Sequence, residues 1–231
     1  MFKPARSTTC VSLLVAFLVL GIGAIISAPP AETSTAPVRW EKEIGAYEAG
    51  DKTNPPPRGA ILFAGSSSIL LWKSLARDFP DHKVINRAFG GSQIEDSIAF
   101  AHRIIIPCRP KMIVLYAGDN DIAAGKSPER VFEDFKTFAE KVHATLPQTR
   151  VAFISIKPSP SRWHLADSQR AANRLVERHC KTDERLAYID VFKPMLGPDG
   201  RPRAELFLAD NLHLNSQGYE LWTSIIGPYL K

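Results

Sequence analysis

An alternation of short apolar runs with longer amphipathic stretches constrains this chain more than any other feature. Ala60–Ala64, Val84–Asn86, Met112–Tyr116, Val151–Ile156 and Leu186–Ile189 have the length and apolar character of buried strands. Between them Ser68–Arg77, Ser92–Ile106, Pro128–Leu146 and Ala166–Cys180 carry helical patterns, and a last one runs from Ser216 to Leu230. Strands separated by helices return in the same direction, so they pair in parallel through right-handed crossovers. The pattern predicts an α/β fold: a three-layer α/β/α sandwich around a five-stranded parallel sheet, with its reactive loops at the carboxyl ends of the strands. A chain of 231 residues, 45% hydrophobic, supports one such domain. Trp40, Ile44 and Tyr47 recur at helical spacing and place a short helix over the core, ended by Pro55, Pro56 and Pro57.

The domain is expected over residues 40–231, preceded by two segments of other character. Lys3 and Arg6 stand before an uncharged stretch, Ser7–Ala31, whose apolar centre runs from Val11 to Ile26. Residues 1–28 therefore read as an export signal or an N-terminal membrane anchor, the length lying between the two classes. Either places the domain outside the cytoplasm, periplasmic or secreted, and an anchor would tether it to a membrane. Residues 29–39, rich in Pro, Ala, Thr and Ser, bury too little apolar surface to fold and read as a flexible linker.

The net charge of +5 includes Lys3 and Arg6, which leaves +3 for the rest, with basic and acidic residues interspersed as in Glu41, Lys42 and Glu43. That is a mixed solvated surface and gives no footprint for nucleic acid. Cys108 and Cys180 are the cysteines of the globular part; an oxidising compartment permits a disulfide between them, and two separate buried thiols satisfy the sequence equally. The His residues are dispersed, with no CxxC or HExxH pattern, so neither a metal site nor a cofactor is expected.

Four loops carry polar residues where chemistry is expected. The first strand enters Gly65, Ser66, Ser67 and Ser68 directly before a helix, an arrangement that suits a nucleophile, a simple helix cap or a phosphate cradle. After the second strand come Gly90, Gly91, Ser92 and Gln93, where glycine permits close backbone approach and Ser92 could equally cap the next helix. After the third come Gly118, Asp119, Asn120 and Asp121. Asn120 offers an uncharged amide donor, the two Asp residues suit backbone hydrogen bonding within the loop, and an ordinary Asx-rich turn accounts for the same residues. Before the last helix, Asp210 and His213 stand three apart. In a turn of helical curvature the carboxylate reaches one imidazole nitrogen and leaves the other for a nucleophile, although a surface pair has the same spacing.

The order of these blocks, Ser then Gly then Asn then Asp and His, resembles the SGNH, or GDSL-like, hydrolase family over roughly residues 60–230. The resemblance implies a flavodoxin-like sandwich and a serine esterase acting on small-molecule esters, with short acyl, acetyl, sugar or lysophospholipid esters as substrate classes. It implies Ser67 as nucleophile, His213 as base and Asp210 as the group that orients the base. It further implies an oxyanion hole from the Ser67 and Gly91 N–H groups with the Asn120 amide. The chain departs from the usual family motif at Ser66, where the family has Asp, which leaves Ser66, Ser67 and Ser68 as candidates for the attacking hydroxyl, and spacing from Gly65 favours Ser67. An acyltransferase would use the same triad, and a noncatalytic extracytoplasmic carbohydrate- or phosphate-binding module would leave Asp210 and His213 without a role. After the fourth strand, Lys157–Trp163 falls on the expected active-site side. There Trp163 either stacks on substrate or closes the edge of the core.

Overall fold

The computed structural model describes residues 1–2 and 38–231; the expected signal or anchor and all of the linker before residue 38 lie outside the described residues. Among the described residues no helix is long and apolar enough to cross a membrane.

Five strands form one parallel sheet: β1 (Ile61–Gly65), β2 (Val84–Ala88), β3 (Met112–Tyr116), β4 (Arg150–Ile154) and β5 (Leu186–Ile189). Their order is β2-β1-β3-β4-β5, with Phe63 beside Asn86 on one flank and Val114 on the other. The order reverses at β1, so β2 and β3 lie on either side of it and the loops after all three meet at one edge. Every residue of β1 and β3 is buried, as expected of central strands covered on both faces.

The helices are α1 (Glu41–Thr53), α2 (Ser67–Leu70), α3 (Leu75–Asp78), α4 (Ile94–Ile104), α5 (Asp119–Ala123), α6 (Pro128–Thr145), α7 (Ala166–Cys180) and α8 (Ser216–Ile226). Residues of α1, α4, α6 and α7 join one hydrophobic cluster, which includes Leu62, Leu115 and Phe153 from one face of the sheet. Residues of α2, α3 and α8 join a second, with Phe63, Tyr116 and Ile154 from the other face. Alternate residues of each strand thus serve opposite cores, and the three-layer sandwich follows.

The helix expected over Ser68–Arg77 is two one-turn helices. Between them Trp72 is fully buried, stacked on Tyr219 at 5.0 Å between ring centroids, and its indole N–H donates to Asp78 at 2.6 Å. The Ser74 hydroxyl bonds the same carboxylate at 2.5 Å, so local side-chain bonds and one aromatic anchor outweigh helix continuity. At the chain end α8 stops at Ile226, where Gly227 and Pro228 tighten the chain into a 3-10 turn. Cys108 and Cys180 are both buried free thiols.

Candidate active site

The Ser67 loop is set by close backbone packing. Gly65 has φ +119°, and a Cβ there would fall on the Tyr116 carbonyl of β3, so only glycine lets β1 turn at this point. Ser66 N–H then donates to Tyr116 O at 3.0 Å and opens α2. Ser66 and Ser68 are buried, whereas Ser67, between them, is partly exposed at the helix start.

The Asp210–His213 turn is equally local. One Asp210 carboxylate oxygen accepts the backbone N–H groups of Leu212 and His213, both at 3.0 Å, and Asn211 takes the left-handed conformation at φ +57°. Asx turns of this kind orient a side chain by bonding it to its own loop. The turn is fastened to its neighbours by Leu208 N–H to His213 O at 2.8 Å and by an antiparallel bridge between Phe207 and Leu214. Asn215 then caps α8 through Gly218 N–H.

These two loops meet. His213 Nδ1 lies 2.5 Å from Asp210 Oδ2, and His213 Nε2 lies 3.0 Å from Ser67 Oγ. A carboxylate only accepts, so Nδ1 carries the proton and Nε2 is left to accept from the serine hydroxyl. Burial works to raise the Asp210 pKa, but hydrogen bonds from the His213 ring and from the His213 and Leu212 N–H groups hold it down at about 2. The row can move a proton from hydroxyl to imidazole and stabilise the imidazolium that results.

The glycine loop and the Asn120 loop close the other side. Gly91 has φ +73°, and a Cβ on it would press on the Arg39 guanidinium, which lies over the Trp40 ring. Trp40 is itself fixed by its indole N–H on Gly90 O at 2.9 Å. Ser92 joins three loops: its hydroxyl donates to Gly65 O at 3.1 Å, and its carbonyl accepts Asn120 Nδ2 at 2.9 Å. Ser92 is therefore not the cap of α4; Gln93 occupies that place. Among the described residues neither the Ser67 nor the Gly91 backbone N–H has a protein acceptor. Backbone donors left free in loops at the same edge of the sheet can receive an oxyanion.

The two Asp residues beside Asn120 behave differently. Asp121 meets the expectation of a loop-fixing acceptor, taking Gly118 N–H at 3.1 Å and Ile94 N–H at 3.2 Å, and it also pairs with Lys126. Asp119 instead lies against Arg162, Lys157 and Gln169 at 3.0, 3.4 and 3.2 Å. These three partners arrive from the segment after β4 and from α7, and nothing in the sequence marked them beyond the position of Lys157–Trp163 near the site. Trp163 is half-buried, belongs to neither core, and has the Arg170 guanidinium 5.0 Å from its ring centroid. Among the described residues no cluster of His, Cys, Asp and Glu could hold a metal ion.

A family model described as GDSL-like Lipase/Acylhydrolase matches residues 60–221, which include all four loops. The chain belongs to the GDSL-like lipase/acylhydrolase family. It is accordingly a hydrolase of carboxylic esters. Among curated proteins no sequence matches. Solved structures share the fold of this GDSL-family chain at low identity. A protein from Streptococcus pneumonia, described as a candidate platelet activating factor, is 19% identical with a TM-score of 0.74, covering 83% of this chain and 92% of its own. A GDSL-like lipase from Bacteroides thetaiotaomicron is 19% identical with a TM-score of 0.69, covering 81% and 96%. A variant acetyl esterase with an acetate ion is 16% identical with a TM-score of 0.59, covering 74% and 95%.

Proposed function

We propose that this GDSL-family hydrolase is a serine esterase in which Ser67 attacks the ester carbonyl, His213 takes its proton and Asp210 orients the imidazole. The observation that carries this reading is the unbroken row from Ser67 Oγ to His213 Nε2 at 3.0 Å and from His213 Nδ1 to Asp210 Oδ2 at 2.5 Å. As the serine oxygen bonds to the carbonyl carbon, the substrate oxygen becomes negative between the Ser67 N–H, the Gly91 N–H and Asn120 Nδ2. The tetrahedral intermediate collapses with loss of the alcohol, which takes its proton from His213. Water then repeats the cycle on the acyl-serine and releases the acid. Each strong donor of such a hole contributes about 3 to 4 kcal/mol to the barrier reduction.

The substrate is a small ester with a short acyl group. The acetate held by the acetyl esterase of the same fold agrees with this size. Residues 1–28 serve as an export signal or anchor, which puts the enzyme outside the cytoplasm.

The test is hydrolysis of 4-nitrophenyl acetate and butyrate by the full chain and by its Ser67→Ala variant, with fluorophosphonate labelling of both. The parent should turn over both esters, prefer acetate and label. Ser67→Ala should lose turnover by ~10⁴-fold or more and fail to label while remaining folded. A folded Ser67→Ala protein that keeps the parent's rate removes Ser67 from the mechanism.

A further inference from the structure

The segment after β4 carries a cation into the oxyanion side of the site. It is stiffened by Pro158 and Pro160, pinned to the triad turn by Ser161 N–H on Asn211 O at 3.1 Å, and turned at Arg162, where φ is −117° and ψ is 20°. The Arg162 side chain is 20% exposed, and its Nη1 lies 3.0 Å from Asp119 Oδ1 and 3.1 Å from Asn120 Oδ1. Asp119 is engaged elsewhere as well, by Lys157 Nζ and Gln169 Nε2. One carboxylate thus faces two cationic side chains, and its charge is shared between them.

An Asn amide offers one carbonyl oxygen and two N–H donors. In Asn120 the oxygen is taken by Arg162 and one N–H by Ser92 O at 2.9 Å. A single N–H remains. Reversing the amide would set its oxygen against the Ser92 carbonyl and its NH₂ against a guanidinium, both repulsive, so the pair of contacts fixes which end is the donor. A cation on the oxygen end also draws electron density along the amide and makes the remaining N–H a stronger donor.

We propose that Arg162 is a positioning residue of the oxyanion hole, acting through the Asn120 amide that it orients and polarises. The inference rests on the reading of Asn120 as an oxyanion donor. Arg162 itself touches no reacting atom in this scheme.

A double-mutant cycle on the full chain tests it, with kcat and KM for 4-nitrophenyl acetate and a thermal unfolding midpoint for Arg162→Ala, Arg162→Lys, Asn120→Ala and the two combinations. Asn120→Ala should cut kcat by ~10²-fold or more. Arg162→Ala should cut kcat by about tenfold with KM within about twofold of the parent, and Arg162→Lys should recover part of that loss. In the Asn120→Ala background either Arg162 change should cost less than about twofold, because the group it acts through is gone. The same fold-loss in both backgrounds overturns the proposal. So does a raised KM with kcat retained, which would mean that the guanidinium binds substrate directly. If Arg162→Ala does not fold, Arg162→Lys in the two backgrounds decides between the same outcomes. The underlying reading fails separately: full activity in Asn120→Ala beside a dead Ser67→Ala removes Asn120 from the hole and this proposal with it, whereas activity in Ser67→Ala overturns the whole site.

Discussion

The proposed triad turn and the Asn120 loop both place an Asp within three residues of a member of the proposed site, yet they are built in opposite ways. Asp210 is nearly half exposed, at 47%, and its partners are Leu212 and His213, two and three residues away. Asp119 and Asp121 are buried, at 6% and 0%, and reach residues from Ile94 to Gln169. The first arrangement is a local device that orients one imidazole; water continues to solvate the carboxylate, so its removal disturbs little else. The second is a tertiary joint, in which charges withdrawn from water require every partner to be present.

Asp210→Asn should show the largest effect and fall on catalysis alone. It substitutes an amide for the acceptor of the Nδ1 proton, and kcat should drop by ~10³ to 10⁴-fold at neutral pH while the unfolding midpoint barely moves. A large fall in that midpoint would mean that the triad turn is as structural as the Asn120 loop, and the contrast would be gone. Asp121→Ala should do the reverse. It strands the buried Ile94 and Gly118 N–H groups and removes one of three carboxylates around the Lys126 ammonium, which keeps Glu95 and Asp134, and urea unfolding should register a loss of about 3 kcal/mol. Activity per folded molecule should fall far less than in Asp210→Asn.

The smallest effect is the most discriminating in sign. Asp210 is held at about 2, below the ordinary value of 3.8, so the stability it contributes is present above about pH 4 and is lost as pH falls toward 2. Burial raises the Asp121 pKa in spite of Lys126, so the folded protein takes up that proton before the unfolded chain does, and this group adds stability as pH falls. Unfolding free energies of the two Asp→Asn variants, followed from pH 7 to pH 2.5, should therefore diverge from the parent in opposite directions. Asp210→Asn should lose less stability on acidification than the parent, by no more than about 1 kcal/mol because the pair is exposed and screened. Asp121→Asn should lose more. Parallel curves would refute the assignment of opposite pKa directions.

The same division between local and tertiary construction explains which features are legible in the sequence. Strand positions, the parallel sheet and the order of the four loops follow from hydrophobic periodicity, a property of neighbouring residues. The spacing of Asp210 and His213 is likewise a short-range fact, and the turn that uses it closes within four residues. The Ser68–Arg77 pattern misleads because Trp72 is drawn into a core formed with Tyr219 and Trp222, residues about 150 positions away. Arg39 against Gly91, Ser92 between three loops and Arg162 on Asn120 leave no mark in the sequence for the same reason.

The sequence by itself determined the sandwich and which loops would gather at its active edge, because burial patterning and chain chirality leave few other ways to pack these segments. Only the tertiary structure decided which Asp fixes a loop and which joins a buried ion cluster, and which way the Asn120 amide points. Those outcomes depend on distances of about 3 Å between residues far apart in the chain, and a hydrogen bond at that range is settled by the packing of whole elements rather than by local preference.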